Sequence, residues 1–352
     1  MKADLAVVVI TRNEEARIDE CLAAAFRAVH EAKEAGLVRS AEIVLVDSAS
    51  RDRTIEIARK FPITIVRLDE RWPLSAAAGR FVGLRNTDSE LVLFVDGDYV
   101  LFDQWLPLAI RKIRSQSRIG AVCGRELEES TGDSALMRFL KQNTESTVGV
   151  PEAIPIGLYR REAVVEVGGI QPFLKGGEDR DLANRLRESG YALVRIDPLM
   201  GSHRWSDQGR LDFITYFKSV LSWSVGDGQA FRASLGGTAA RIATIRRYAN
   251  VRHLLNYLQG IVLGTALMVN LLLPISGLTS VVIASDLATV IAITVFRRSR
   301  GLSWRDFVFG LHSTPYSIVR HGGFLIGFIG PPRDPREYPT GETVLQISPP
   351  AS

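Results

Sequence analysis

An α/β domain with a mostly parallel sheet covered by helices on both faces, followed by a helical transmembrane region, is the architecture this 352-residue chain predicts. Three observations lead there. Over roughly the first 200 residues, short apolar runs of Val, Ile and Leu alternate with longer stretches of helical spacing. Strands that are apolar throughout suit a parallel sheet buried on both faces. The polar residues collect just after these runs, where open α/β sheets bind their ligands. From Leu254 to Ser285, finally, there is no charged residue at all.

The elements follow in order. "LAVVVI" (5–10) has strand length, and residues 15–36 carry the helical spacing of Ile18, Leu22 and Phe26, ending at Gly36. "AEIVLVDS" (41–48) is a second strand, "DRTIEIARKF" (52–61) a helix and "ITIVRL" (63–68) a third strand. "LSAAAGRFVGLRN" (74–86) reads as a helix of small residues, and "ELVLFVD" (90–96) as a fourth strand. Thr11, Arg12, Asn13 and Glu14 follow the first strand, Asp47 ends the second, and Asp96 and Asp98 close the fourth.

Composition excludes several classes. Hydrophobic residues make up 46% and charged ones 23%, which is neither disordered nor fibrous. The net charge of +4 is mild, and no nucleic-acid partner is expected. Cys21 and Cys123 lie far apart in no metal-ligand spacing, which fits a reducing compartment better than a disulfide framework. The run Leu5–Ile10 is too short for a signal peptide. "VVVITRNEEAR" holds no glycine, which disfavours dinucleotide binding, and neither a Walker A loop nor a Gly-x-Ser-x-Gly elbow occurs.

Carboxylates dominate this edge instead. Asp96 and Asp98 suit a divalent ion with oxygen ligands, Mn²⁺ or Mg²⁺; taken alone, an Asp-x-Asp also suits a sugar, a turn cap or solvent. A cation there would stabilise a departing diphosphate. Further on, "KGGEDRDLANRL" opens a helix, with Gly176 and Gly177 allowing a tight turn and close approach to a ligand. Glu178 and Asp179 fall in its first turn, either as complements of the helix dipole or as a general base for an attacking hydroxyl.

Together these segments resemble the family 2 glycosyltransferases, whose fold is called GT-A. "VVVITRNEE", "EIVLVDSASRDRT", "AAAGRFVGL", "LVLFVDGDYVL" and "GGEDRDLANRLRESGY" stand in that family's order over about residues 5–205. Phe81 stands where the family's Ala-Arg-Asn helix has its asparagine. The resemblance implies that Thr11, Asn13 and Glu14 line the nucleotide pocket, with Asp47 near the base and Arg80 near the phosphates or ribose. It implies Asp96 near ribose and metal, Asp98 as metal ligand, and Asp179 as catalytic base with Glu178 supporting. His203 in "GSHRWSD" is a candidate third metal ligand, or a hydrogen-bonded or exposed histidine. Trp205 either stacks on a sugar or packs at a membrane surface. Arg204 and Trp205 lack the glutamine of the processive synthases' Gln-x-x-Arg-Trp motif. Transfer of one sugar is therefore expected, with inversion.

The domains expected are a GT-A catalytic domain at 1–205, interfacial or linker helices at 206–252 and a transmembrane hairpin at 253–297. A third span, re-entrant piece or interfacial helix follows at 298–330, and a disordered tail at 331–352. Pro274 and Gly277 divide the hairpin. Arg241, Arg246, Arg247 and Arg252 precede it and Arg297, Arg298 and Arg300 follow it, which expects a cytoplasmic catalytic domain on the plasma membrane. The expected donor is a nucleoside diphosphate sugar, UDP by default, and the acceptor a hydroxyl or phosphate of a polyprenyl or glycolipid molecule. Polysaccharide, glycan or glycolipid synthesis is the setting. The alternative is a non-catalytic membrane scaffold that retains the nucleotide-sugar fold.

Overall fold

In the computed structural model, the structure describes residues 2–129, 151, 153–204, 213–233, 319 and 322–347. They fall into two compact units, Met1–Arg210 with Arg333–Ser352, and Leu211–Pro332.

The first unit is built on the strands expected. β1 (Ala3–Thr11) pairs in parallel with β2 (Ala41–Asp47) on one side and β4 (Ser89–Asp96) on the other, and β3 (Thr64–Arg67) continues beyond β2. Leu5 to Val9 and Leu91 to Val95 are shut off from solvent, as strands covered on both faces must be. The register sets Thr11 beside Asp47 and Ile10 beside Asp96. The polar residues thus reach one edge of the sheet together.

The rest of the sheet differs from the expectation of a mostly parallel one. β7 (Gly157–Arg160) lies antiparallel to β4, and β6 (Ile119–Glu129) antiparallel to β7. β8 (Ala192–Arg204) runs parallel to β6, and β5 (Tyr99–Leu101) antiparallel to β8. The sheet is mixed because β7 runs against both of its neighbours, β4 and β6, and β5 and the final strand run against theirs at the two edges. Its order among the described residues is β5-β8-β6-β7-β4-β1-β2-β3-β9.

The last strand, β9 (Thr343–Gln346), corrects the reading of a disordered tail. It pairs antiparallel with β3 and covers what would otherwise be an open edge. Gln346 adds side-chain donation to the carbonyls of Phe61 and Ile63 at 2.8 and 3.1 Å. Proline and charge dominate the tail's composition, but edge pairing uses backbone groups that composition does not report.

Helices cover the sheet. α1 (Ile18–Glu34) buries Ile18, Cys21, Leu22, Ala25 and Val29, and the short α2 (Thr54–Ala58) buries Thr54 and Ala58. α3 (Ala76–Arg85) begins at Ser75, whose hydroxyl accepts the Ala78 N–H at 3.1 Å. α4 (Trp105–Arg114), α5 (Arg161–Glu166) and α6 (Glu178–Glu188) complete the unit. In α3 the absence of a side chain at Gly83 lets helix and sheet meet, since a Cβ there would fall 2.2 Å from Val8 Cγ1.

In the second unit, α7 (Phe213–Ala233) lies within the interval read as interfacial or linker helices. A helical stretch at 322–329, inside the segment read as a third span or interfacial piece, packs on it through glycines. A Cβ at Gly228 would fall 2.0 Å from the Phe324 carbonyl. Arg232 donates to the Phe328 and Ile329 carbonyls at 3.0 and 2.8 Å. No helix among the described residues is long and apolar enough to cross a membrane, and the hairpin read at 253–297 lies outside them.

Gly83→Ala is expected to destabilise the chain by about 1–3 kcal/mol through overpacking against Val8. Thermal unfolding of the two proteins checks this, and an unchanged midpoint would show that α3 can withdraw from β1 freely.

Candidate active site

The loops after β1 and β2 are stitched to each other before any ligand arrives. Ser48 N–H donates to the Thr11 carbonyl at 2.9 Å, and Asn13 N–H to Ser50 Oγ at 2.8 Å. Asn13 Oδ1 accepts the Arg51 N–H at 2.9 Å, and Glu14 N–H donates to Thr54 Oγ1 at 2.8 Å. Asn13 holds a left-handed backbone, φ 58°, which asparagine tolerates better than most residues. Thr11, Asn13, Glu14 and Asp47 are thus brought together, as the sequence reading requires of a pocket lining.

Asp47 is 0% exposed. Its Oδ2 accepts the Ser50 N–H at 3.0 Å and lies 3.7 Å from Arg67 Nε. Burial raises its pKa, against the pull of the Ser50 hydrogen bonds and the Arg67 charge. Its other oxygen, Oδ1, is buried with no hydrogen-bond partner, and so is the hydroxyl of Thr11. Most buried polar groups are hydrogen-bonded, so these two atoms stand out as places where a ligand or water would be received.

Beyond β4 a second group forms. Pairing of β5 with β8 sets Tyr99 opposite His203, which carries the imidazole to the carboxylate preceding Tyr99. His203 Nε2 stands 3.3 Å from Asp98 Oδ1, and Asp96, Asp98 and His203 can each offer one atom within 4.8 Å of the others. Burial opposes charge on both members of the His203–Asp98 pair. Their mutual hydrogen bond and attraction outweigh it, lowering the Asp98 pKa and raising that of His203. Two carboxylates and an imidazole fit a divalent cation of the Mn²⁺ kind, and Mg²⁺ less well, since imidazole is a poorer ligand for it. Of the expected metal ligands, all three are brought together.

Arg80 is the residue whose surroundings differ most from the resemblance. Instead of facing an open phosphate site, its guanidinium is buried between two carboxylates. One amino group donates to Asp96 Oδ1 at 2.7 Å and the other to Glu178 Oε1, while Nε has no hydrogen-bond partner. Burial pushes the Asp96 and Glu178 pKa values up, with Arg80 opposing. Glu178 is therefore occupied, and its half-buried neighbour Asp179 lines a small pocket with Phe94, Pro155, Tyr159 and Leu182. Gly177 precedes both in a left-handed conformation at φ 74°, which suits the tight turn expected at Gly176 and Gly177. Trp205 lies outside the described residues.

Sequence reasoning missed Arg67 and Ser50 around Asp47, and Cys21, whose thiol lies 3.5 Å from the Asp96 carbonyl. Only the tertiary pairing of β2, β3 and α1 reveals them; a "VDSAS" turn after a strand is the single local hint for Ser50.

Residues 6–165 match the family described as "Glycosyl transferase family 2". The chain is 28% identical over 208 residues to glycosyltransferase AglE of Haloferax volcanii, covering 56% of this chain and 66% of that protein. It is 22% identical over 191 residues to the O-antigen chain rhamnosyltransferase RfbN of Salmonella typhimurium, covering 50% and 61% respectively. The chain thus spans slightly less than two thirds of either relative. In fold it is similar to mannosyltransferase PcManGT from Pyrobaculum calidifontis, solved in complex with GDP-Man and Mn²⁺. The TM-score is 0.60 at 18% identity, over 92% of this chain and 88% of that one. Residues 6–165 are thus similar to the family 2 glycosyltransferases, and the fold of the chain is similar to that of a nucleotide-sugar-dependent transferase.

Glu14 supplies a pH test of the site. Burial, reinforced by the charge of Asp98, raises its pKa from 4.5 to about 7. The folded chain therefore holds this proton more tightly than the unfolded one, and Glu14 costs stability as pH rises from 4.5 to about 7. Metal-free wild type is expected to lose melting temperature over that interval relative to Glu14→Gln. A gap that stays constant with pH would show that the carboxyl is not strained by its surroundings.

Proposed function

We propose that the chain transfers a single sugar, with inversion, from a nucleoside diphosphate sugar to a membrane-borne acceptor. The observation that carries this reading is the gathering of Asp96, Asp98 and His203 beyond the strand ends, with Arg80 joining Asp96 to Glu178, the neighbour of Asp179. In this reading Asp98, Asp96 and His203 hold Mn²⁺, with Mg²⁺ the lesser fit. When bound, the ion supplies positive charge to the leaving diphosphate.

The chain's own residues do the rest. Asp179 takes the proton from the acceptor hydroxyl. The acceptor oxygen forms its bond to the anomeric carbon as the bond to the diphosphate breaks, from the opposite face. Glu178, held by Arg80, supports the helix end without competing for that proton. Asp47 Oδ1 receives an N–H of the base, and Thr11, Asn13 and Glu14 wall the nucleotide. UDP is the donor nucleotide by resemblance to the family, with GDP and dTDP as the alternatives.

The acceptor class rests on the charge-free run Leu254–Ser285 and the arginines that flank it. They favour a polyprenyl or glycolipid acceptor and a catalytic domain on the cytoplasmic face of the plasma membrane. The names of AglE and RfbN, a glycosyltransferase and an O-antigen chain rhamnosyltransferase, agree with glycan assembly as the setting.

Calorimetry of UDP, GDP and dTDP with the full chain in detergent, with and without Mn²⁺, tests the reading. UDP is expected to bind only with the metal, and Asp98→Ala to weaken that binding at least about tenfold, as loss of one ligand from a small set should. Asp179→Asn is expected to keep UDP binding and lose about 10²–10⁴-fold in turnover. Failure of all three nucleotides to bind would replace this reading by the non-catalytic scaffold.

A further inference from the structure

The tail that folds back on the first unit ends in more than an edge strand. Tyr338 is 1% exposed and is among the largest fully buried side chains. Its hydroxyl donates to the Pro73 carbonyl at 2.9 Å. Its ring stands edge-on to Trp72 at 5.8 Å and Phe81 at 5.7 Å, and tilted against Phe173 at 5.6 Å. Arg333 lies over the other contact face of the cluster, its guanidinium 4.3 Å from the Phe173 ring centre.

Phe81 lies within α3, and Trp72, Pro73 and Phe173 come from two separate loops. Trp72 and Pro73 precede the Ser75 cap of α3, which carries Arg80. Phe173 precedes Gly177, Glu178 and Asp179 at the start of α6. The two loops also meet directly, where Ser75 Oγ donates to the Pro172 carbonyl at 3.5 Å. Tyr338 fills the space between them with aromatic area and one hydrogen bond. Glu342 fastens the same tail to the far end of α3, accepting from Arg85 at 2.5 Å and from Asn86 at 2.7 Å. Both ends of the helix bearing Arg80 are thus held by the tail.

The geometry points to Tyr338 as a positioning residue: through Phe173 and Trp72, the C-terminal segment fixes the loop that presents Asp179 to the α3 helix that holds Glu178. The inference rests on the glycosyl-transfer reading for its catalytic consequence, but its mechanical part does not. Tyr338 touches no reacting atom. It acts by restricting residues 171–177, where two glycines would otherwise leave the base free to wander.

The test uses the full chain in detergent as wild type, Tyr338→Ala, Tyr338→Phe and Phe173→Ala. Three quantities are read: hydrogen exchange over residues 171–177, calorimetric Kd for UDP with Mn²⁺, and UDP release from UDP-glucose and UDP-N-acetylglucosamine. In Tyr338→Ala and Phe173→Ala, exchange over 171–177 is expected to accelerate and kcat to fall by up to about 10²-fold, the usual cost of a misplaced catalytic group. Kd for UDP should stay within about twofold, because the nucleotide pocket lies on other loops. Tyr338→Phe keeps the ring and should recover most of the turnover.

Unchanged exchange over 171–177 in either alanine variant would overturn the inference. So would parallel loss of UDP binding and turnover, the mark of general unfolding. If Tyr338→Ala does not fold, Phe173→Ala decides by the same criteria. If wild type binds no UDP and releases none, the transfer reading falls, while the exchange comparison still decides whether the tail restrains the loop.

Discussion

The burial of Arg80 between Asp96 and Glu178 is the interaction on which this site depends. Asp96, Asp98, Glu178 and Asp179 converge at one sheet edge, and like charges about 4 Å apart repel by about 4 kcal/mol at an effective dielectric near 20. Arg80 supplies the opposing charge, seated between Asp96 and Glu178. A buried pair deprived of one partner costs about 3–5 kcal/mol, so α3, which carries Arg80, cannot move independently of β4 and α6. The glycines facing β1 bring that helix close enough for the arginine to reach. Packing of the smallest residues and placement of the largest charge are therefore one requirement.

Much of this was legible in the sequence, for a physical reason. Strands buried on both faces must be apolar throughout, so "LAVVVI" and "ELVLFVD" declare themselves and β1 and β4 extend them by only a few residues. The residues after such strands are polar because the sheet edge is where a ligand is met, which made Asp47, Asp96 and Asp98 conspicuous. The ligand triad needed more than local pattern. His203 lies at a strand end a hundred residues from Asp98, and only the antiparallel register of β5 with β8 joins them.

Arg80 shows the limit from the other side. Its position in a motif was plain, but a motif reports that a cation is wanted and not which carboxylates receive it. The mixed half of the sheet was hidden because β6, β7 and β8 are joined through segments with no strong period. The tail was misread because composition weighs its prolines and charges, whereas Tyr338 and a row of backbone hydrogen bonds decide its fate.

That tail also imposes an order in time. β9 joins β3 by way of contacts such as that between Gln346 and Phe61, which lie 285 positions apart in the chain. During synthesis the whole second unit, including the charge-free run, emerges before the strand that completes the first. Until then β3 offers an open edge, and the socket formed by Trp72, Phe81 and Phe173 stands unfilled. The nascent domain is thus exposed to mispairing for as long as translation of some 280 residues takes, about 15–60 s at the usual rates. A ribosome that stalls within the second unit would leave behind a sheet with its last seam unsewn.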